Sequence, residues 1–387
     1  MNIPKLRFKE FTDEWVYYKY KDIFNLNQGI QIPITERFLD YAPNRFFYIT
    51  NEFLKPSSKK SYYIENPSPN VICTKEDILM TRTGNTGKVI TNIAGVFHNN
   101  FFRIKYNPKN FNKDFICCIL NQNKIQNKIL TLAGNSTIPD LNHKDFYSIK
   151  SRFPKLKEQE KIAKFINTVD KKIENIENTI SSLENQKEGL LQQIFSQKLR
   201  FKDKNGNNYP NWEKKKLEDI SNITMGQSPD SDFVNTEKIG TPFLQGNAEF
   251  TTKYPIEKYW CTKPQKIANP TDILLSVRAP VGAINIANKK FCIGRGLSAI
   301  SFNCNKLFGK YNLEFNLFQL IKKSQGSTFS SINKKDISEV ILFIPCLEEQ
   351  TKIADFLSAF DRKLDNQKAQ LEHWQQIKKG LLQQMFV

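Results

Sequence analysis

The most regular feature of the chain is a run of apolar positions between Lys155 and Leu199: Ile162, Ile166, Val169, Ile173, Ile176, Ile180, Leu183, Leu190 and Ile194. Steps of four and three alternate, and Lys187 occupies the one position the alternation misses. Such spacing is a heptad held over about five repeats. Glu, Lys, Asn and Gln fill the intervening positions and Pro is absent. The stretch predicts one amphipathic helix of roughly 60 Å at 1.5 Å rise per residue. A single apolar stripe on so long a helix requires a partner.

The partner lies in the same chain. Ile353, Leu357, Phe360, Leu364, Leu371, Trp374, Leu381 and Met385 repeat the register 191 residues on, with Lys378 in the place of Lys187. Local words return as well. Lys161-Ile162-Ala163 reappears as Lys352-Ile353-Ala354, Asp170 as Asp361, and Gly189-Leu190-Leu191-Gln192-Gln193 as Gly380-Leu381-Leu382-Gln383-Gln384. Two unrelated amphipathic surface helices would not share these words, so the chain is an internal duplication. Connectivity then orders the parts. One globular domain precedes the first helix and another follows it, so the second helix must run back along the first. The expected architecture is α+β: two mixed α/β domains separated by an antiparallel two-helix coiled coil, with an internal pseudo-two-fold. The expected boundaries are 1–154 and 200–345 for the domains, and 155–199 and 346–387 for the helices. Met1 and Val387 should lie close together.

The repeat is fainter inside the domains. Lys5-Leu6-Arg7-Phe8 before Trp15 matches Lys198-Leu199-Arg200-Phe201 before Trp212, and each opening is expected as a surface loop. Asp77-Ile78-Leu79-Met80 matches Asp272-Ile273-Leu274-Leu275. Aromatic and β-branched runs predict strands at 46–50, 78–81, 88–93 and 101–106, then at 243–245, 273–277, 283–287 and 298–302. Amphipathic helices are predicted at 114–132 and 313–323.

Charge narrows the function. The 387 residues carry 57 Lys+Arg against 39 Asp+Glu, a formal charge of +18 with a pI of about 9.4. That excess favours a polyanionic partner, most simply nucleic acid. No apolar run approaches membrane-spanning length, and Met1–Phe8 has no apolar signal core. Seven cysteines form no CxxC pair and read as reduced thiols of a cytoplasmic protein.

As a set, these features resemble the specificity (S) subunit of a type I restriction-modification system. The resemblance covers nearly the whole chain. It rests on two recognition-type domains, on Glu158-Gln159-Glu160-Lys161-Ile162-Ala163 with its copy Glu349-Gln350-Thr351-Lys352-Ile353-Ala354, and on the Gly-Leu-Leu-Gln-Gln words. It implies two target-recognition domains that bind a split double-stranded DNA sequence with a non-specific spacer. It also implies assembly with two methyltransferase (M) subunits, and with restriction (R) subunits for cleavage. S-adenosylmethionine, ATP and Mg would be bound by those partners, with no cofactor in this chain.

A catalytic site is not expected here. Gly84-Asn85-Thr86-Gly87-Lys88 resembles a P-loop, but Arg82 stands where the first Gly should be and Val89 where Ser or Thr is needed, so it reads as a hairpin or loop. A nuclease pairing of Asp140 with Asp170-Lys171-Lys172 would place its second half on a solvated helix face. His98, His143 and His373 share no ligand spacing with cysteines or carboxylates, so no metal is expected. The rival classes are a non-enzymatic coiled-coil adaptor and a self-contained restriction or modification enzyme, whose motifs the chain lacks.

Candidate DNA contacts follow from the chemistry of base edges and phosphates. In the first domain they are Thr81, Arg82, Thr83, Asn85 and Lys88, then His98, Asn99 and Arg103, and Thr137, Asn142 and Lys144. In the second they are Gln227 and Ser228, Gln245 and Asn247, Arg278, Arg295, and Thr328, Asn333 and Lys334. The plainer alternative for the 81–88 segment is an exposed polar turn. The outer flanks of the helices, with Leu191 and Leu382, are candidate docking sites for M subunits.

Overall fold

Two contact-rich units make up the chain in a computed structural model that describes residues 3–54, 60–134, 138–325 and 331–386. One unit is Met1–Glu177 with Ala369–Val387, the other Asn178–Lys368. Helices Leu156–Phe195 and Leu347–Gln384 each supply residues to both units.

The units repeat one topology. Each has a two-stranded antiparallel ribbon, Val16–Lys19 with Lys150–Phe153 in the first and Glu213–Lys216 with Ile341–Ile344 in the second. Each has a four-stranded antiparallel sheet. Its order is Phe24–Gln28, Phe101–Tyr106, Ile78–Thr81, Val89–Ile90 in the first unit, and Ser221–Met225, Leu297–Phe302, Ile273–Ser276, Ile284–Ile286 in the second. The central strands are buried on both faces, which is why they read as unbroken apolar runs. A further mixed sheet in each unit contains one parallel pair, Ile49 beside Phe97 and Leu244 beside Ile293. In the second unit this sheet gains the strand Val234–Asn235.

Strands at Ile78–Thr81 and Phe101–Tyr106 match their predicted bounds, whereas the predicted strand 88–93 shrinks to Val89–Ile90. Both predicted domain helices are corrected. The first is Lys113–Leu120 and Asn123–Ala133, broken at Asn121, whose side chain turns back to the carbonyl of Cys117. The second is Lys306–Asn316 and Phe318–Gln325. Asn112 and Asn305 cap the equivalent N-termini by accepting the N–H of Phe115 and Phe308. The start at 306 is signalled by that Asn305 cap, not by apolar periodicity.

The long helices enter each core. Ile162 and Ile166 pack in the first core with Trp15, Phe115, Phe153, Met385 and Phe386. Ile194, Phe195, Ile353 and Leu357 pack in the second with Trp212, Phe308 and Tyr311. Of the other heptad positions, Val169, Ile176, Ile180 and Leu364 are buried, while Ile173, Leu183, Leu190, Phe360, Leu371, Trp374 and Leu381 are half-buried. Within the second unit Lys187 meets Asp361 at 2.5 Å and Glu184 meets Lys368 at 2.8 Å, so the helix segments there run antiparallel. Within the first unit Lys378 meets Asp170 at 2.6 Å. The lysines that interrupt the heptad are therefore ion-paired.

The repeated openings are surface loops, each pinned to its long helix. Arg7 forks onto Glu158 through Nε and Nη2, both at 2.7 Å, and the indole N–H of Trp15 donates to the same carboxylate at 3.2 Å. Arg200 forks onto Glu349 at 2.8 Å for both bonds, with the Trp212 N–H at 3.0 Å. The neighbouring Gln159 and Gln350 each accept a backbone N–H, from Asn112 and Asn305. They donate to the carbonyls of Pro154 and Pro345. The shared words thus encode one seam, built twice. Met1 and Val387 lie outside the described residues, but Leu6 N–H reaches the carbonyl of Gln384 at 2.9 Å, the counterpart of Leu199 N–H on Gln193 at 3.0 Å.

Candidate nucleic-acid interface

Most of the predicted contacts among the described residues lie on three loops that recur in both units. Gln227 with Ser228, and Gln245 with Asn247, follow two other strands of the second unit, and Arg103 lies within the strand Phe101–Tyr106. The first loop follows the central buried strand. Thr81 N–H bonds Lys88 O and Gly87 N–H bonds Thr81 O, which closes a hairpin between two strands. Three residues take positive φ, Gly84 at 66°, Asn85 at 52° and Gly87 at 91°. A P-loop would lead into a helix; this segment does not. In the second unit the same two bonds recur as Ser276 N–H on Ala283 O and Gly282 N–H on Ser276 O. The hydroxyls of Thr81 and Ser276 donate to the carbonyls of Asn85 and Pro280. Thr81 is fully buried and acts as an internal staple, a correction to its place among the DNA contacts.

This shared backbone aligns Arg82 with Val277 and Thr83 with Arg278. Arg82 N–H and C=O bond Asn100 O and Leu141 N, as Val277 bonds Gly296 O and Ile332 N. Arg82 stands over the Phe102 ring at 5.6 Å and donates to Asp140 Oδ2 at 2.6 Å. Its buried Nε has no partner. The Thr83 hydroxyl donates to the other Asp140 oxygen. Arg278 is exposed, and so are Asn85 and Lys88. The two arginines therefore occupy different positions on one frame.

The second loop joins the strand at Phe97 to that at Phe101, and the strand at Ile293 to that at Leu297. It carries His98-Asn99-Asn100 in the first unit and Gly294-Arg295-Gly296 in the second. His98 Nδ1 accepts Asn100 N–H at 3.1 Å, and burial, then the Arg37 guanidinium, hold its pKa below the usual value. Asn99 donates to Gln31 Oε1 at 3.2 Å. Arg295 donates to the Ser228 hydroxyl from its backbone N–H at 3.3 Å and from Nε at 3.4 Å. An open groove of about 560 Å³ is lined by Ser228, Gln245, Tyr259 and Arg295 among others. Gln227 is exposed nearby, and Asn247 starts a short 3₁₀ turn. Arg103 is corrected. It is 6% exposed and donates to the carbonyls of Ile72 and Asn70, so it braces the domain interior.

The third loop precedes a short helix in each unit. Asn142 and Asn333 cap these helices by accepting the N–H of Asp145 and Asp336. That capping engages the amide oxygen of each side chain, and both residues remain exposed. Lys144 and Lys334 are exposed beside them. Thr137 and Thr328 lie outside the described residues.

Sequence reasoning missed Asp140 as the partner of Arg82, and Gln31 as the partner of Asn99. Gly29 and Gly226, glycines that end equivalent strands, mark a close backbone approach just before Gln31 and Ser228, but nothing in the sequence marks Asn99 as the partner of Gln31. A Cβ at Gly29 would press into the carbonyls of Phe97 and His98, and one at Gly226 into those of Ile293 and Gly294. Among the described residues no cluster of three His, Cys, Asp or Glu could hold a metal, and no helix is long and apolar enough to cross a membrane. All seven cysteines are free thiols.

Fold and loops define a duplicated α+β protein whose frame repeats while its polar loop tips differ. The chain belongs to the type I restriction modification DNA specificity domain family, whose model matches residues 12–185 and 209–373. It is 30% identical over 405 residues to the type I restriction enzyme MjaX specificity subunit of Methanocaldococcus jannaschii, covering 98% of this chain and 95% of that one. In fold it is similar to the type I restriction-modification S subunit of M. genitalium, at TM-score 0.67 and 17% identity over 100% of this chain and 99% of that one. A second fold neighbour is a chain from a type I R-M system solved for its complex assembly and conformational transition. There the TM-score is 0.59 and the identity 23%, over 96% of this chain and 97% of that one.

Proposed function

We propose that this chain is the DNA-recognition subunit of a type I restriction-modification complex and reads a bipartite duplex target, one half per unit. The observation that carries this reading is a backbone frame held constant between the units while the side chains at its loop tips change. That is what two readers of different sequences need: a shared scaffold and separate donors and acceptors. The formal charge of +18 supplies phosphate attraction that is independent of sequence.

In this reading residues 1–154 and 200–345 are the target-recognition domains. Segments 155–199 and 346–387 form an antiparallel coiled-coil spacer that sets the gap between half-sites, as dimer dimensions set half-site spacing elsewhere. The duplication gives a pseudo-two-fold and two equivalent docking places for M subunits. R subunits join for cleavage. The chain is non-catalytic, and S-adenosylmethionine, ATP and Mg belong to the partners.

The test begins with methylated-adenine mapping in host DNA, which should return a split motif. Band-shift titration of the assembled complex should then lose affinity when either half is scrambled. Arg82→Ala should weaken discrimination in the first half only, and Arg278→Ala in the second only. Equal loss on every duplex would demote both to phosphate contacts. The absence of any footprint would favour a coiled-coil adaptor.

A further inference from the structure

We infer that the side-chain pair Gln31–Asn99 and the pair Ser228–Arg295 are equivalent base-reading positions, the first selecting adenine and the second guanine. The inference rests on the proposed DNA-recognition role and assigns a residue pair to each half-site.

The equivalence comes from backbone geometry. Gly29 N–H bonds Phe101 O and Ile30 N–H bonds Phe97 O. Gly226 N–H bonds Leu297 O and Gln227 N–H bonds Ile293 O. His98 N–H reaches Ile49 O as Gly294 N–H reaches Leu244 O. Gly29 and Gly226 permit this close approach, since a Cβ on either would collide with the opposing carbonyls. The frame therefore places Gln31 where Ser228 stands, and Asn99 where Arg295 stands. In both units the two tips touch each other, by Asn99 on Gln31 and by Arg295 on Ser228.

Chemistry then assigns the bases. A side-chain amide offers one donor and one acceptor, the complement of adenine N7 and N6. Asn99 Oδ1 is buried and lacks a protein partner, so the amide the pair presents to a base is that of the exposed Gln31, which Asn99 Nδ2 orients through Oε1. Arg295 is an exposed guanidinium fork, the complement of guanine O6 and N7. Ser228 anchors that fork through Nε and leaves both terminal nitrogens for a base. The contact between tips orients each reader before DNA arrives, which lowers the ordering cost on binding.

The test uses the full chain assembled with its partner subunits and a duplex pool carrying the split motif with one half randomised at a time. Gln31→Ser combined with Asn99→Arg should change one base of the first half from adenine to guanine, by roughly tenfold or more in selection, and leave the second half unchanged. The reciprocal Ser228→Gln with Arg295→Asn should change one guanine of the second half to adenine. Selection that keeps every base, or a uniform loss across sequences at unchanged melting temperature, would overturn the inference. If one double variant melts early, the other decides. A wild-type complex that selects no motif would instead remove the recognition role itself.

Discussion

Arg7 and Glu158 form a two-bond fork with both oxygens engaged at 2.7 Å, and the carboxylate is 2% exposed. This pair ties the opening of the chain to the first turn of the central helix. The Glu158 carboxylate raises the Arg7 pKa chiefly through that hydrogen bond. Arg7→Ala leaves a buried carboxylate with only the Trp15 N–H. It should cost about 3–5 kcal/mol in denaturant unfolding of the first unit. Arg200→Ala should do the same in the second, and a loss under about 1 kcal/mol would reduce the fork to a surface pair.

Lys187 and Lys378 are predicted to differ. Asp361 also accepts the Tyr311 hydroxyl at 2.6 Å. In the first unit the place of Tyr311, three residues after Phe308, is taken by Cys118, three after Phe115. The Lys187–Asp361 pair is also the less exposed of the two. Double-mutant cycles with Ala and Asn should give a coupling of about 1 kcal/mol for Lys187–Asp361 and less for Lys378–Asp170. The second coupling should fade first as salt rises. Equal couplings would mean the tyrosine adds nothing.

Arg103→Ala is expected to act on folding and not on sequence choice. It removes two charge-assisted bonds to backbone carbonyls, so unfolding should become easier by about 2–3 kcal/mol. The motif recovered by methylation mapping should stay the same. A changed motif at unaltered stability would return Arg103 to the interface.

His98 gives a pH signature. Burial and Arg37 lower its folded pKa, so below its ordinary value of 6.5 the unfolded chain binds a proton more readily than the folded one. Stability contributed by neutral His98 is complete above that value and falls as pH drops through it. His98→Gln should flatten this acid limb in melting curves between pH 7 and 5. His143 shifts the same way, by burial and then by Arg82, so some slope should persist.

The sequence announced the helices and the repeat because heptad spacing and repeated words are local signals. Buried strands such as Ile78–Thr81 were legible for the same reason. The site was legible by residue type but not by role. Arg103, Asn142 and Asn333 have the composition of DNA contacts, yet one braces carbonyls and two cap helices. Those roles depend on partners distant in the chain or on cap geometry. Gln31 escaped because its importance comes from Asn99, and only the fold brings the two together.

The seam of Arg, Glu and Trp is complete within each unit, from residues of that unit alone. Interchange of coding segments that keeps each seam whole would thus deliver a ready-folded reader onto an existing stem. New addresses on DNA can arise by shuffling such cassettes, without waiting for a succession of point changes through the interior.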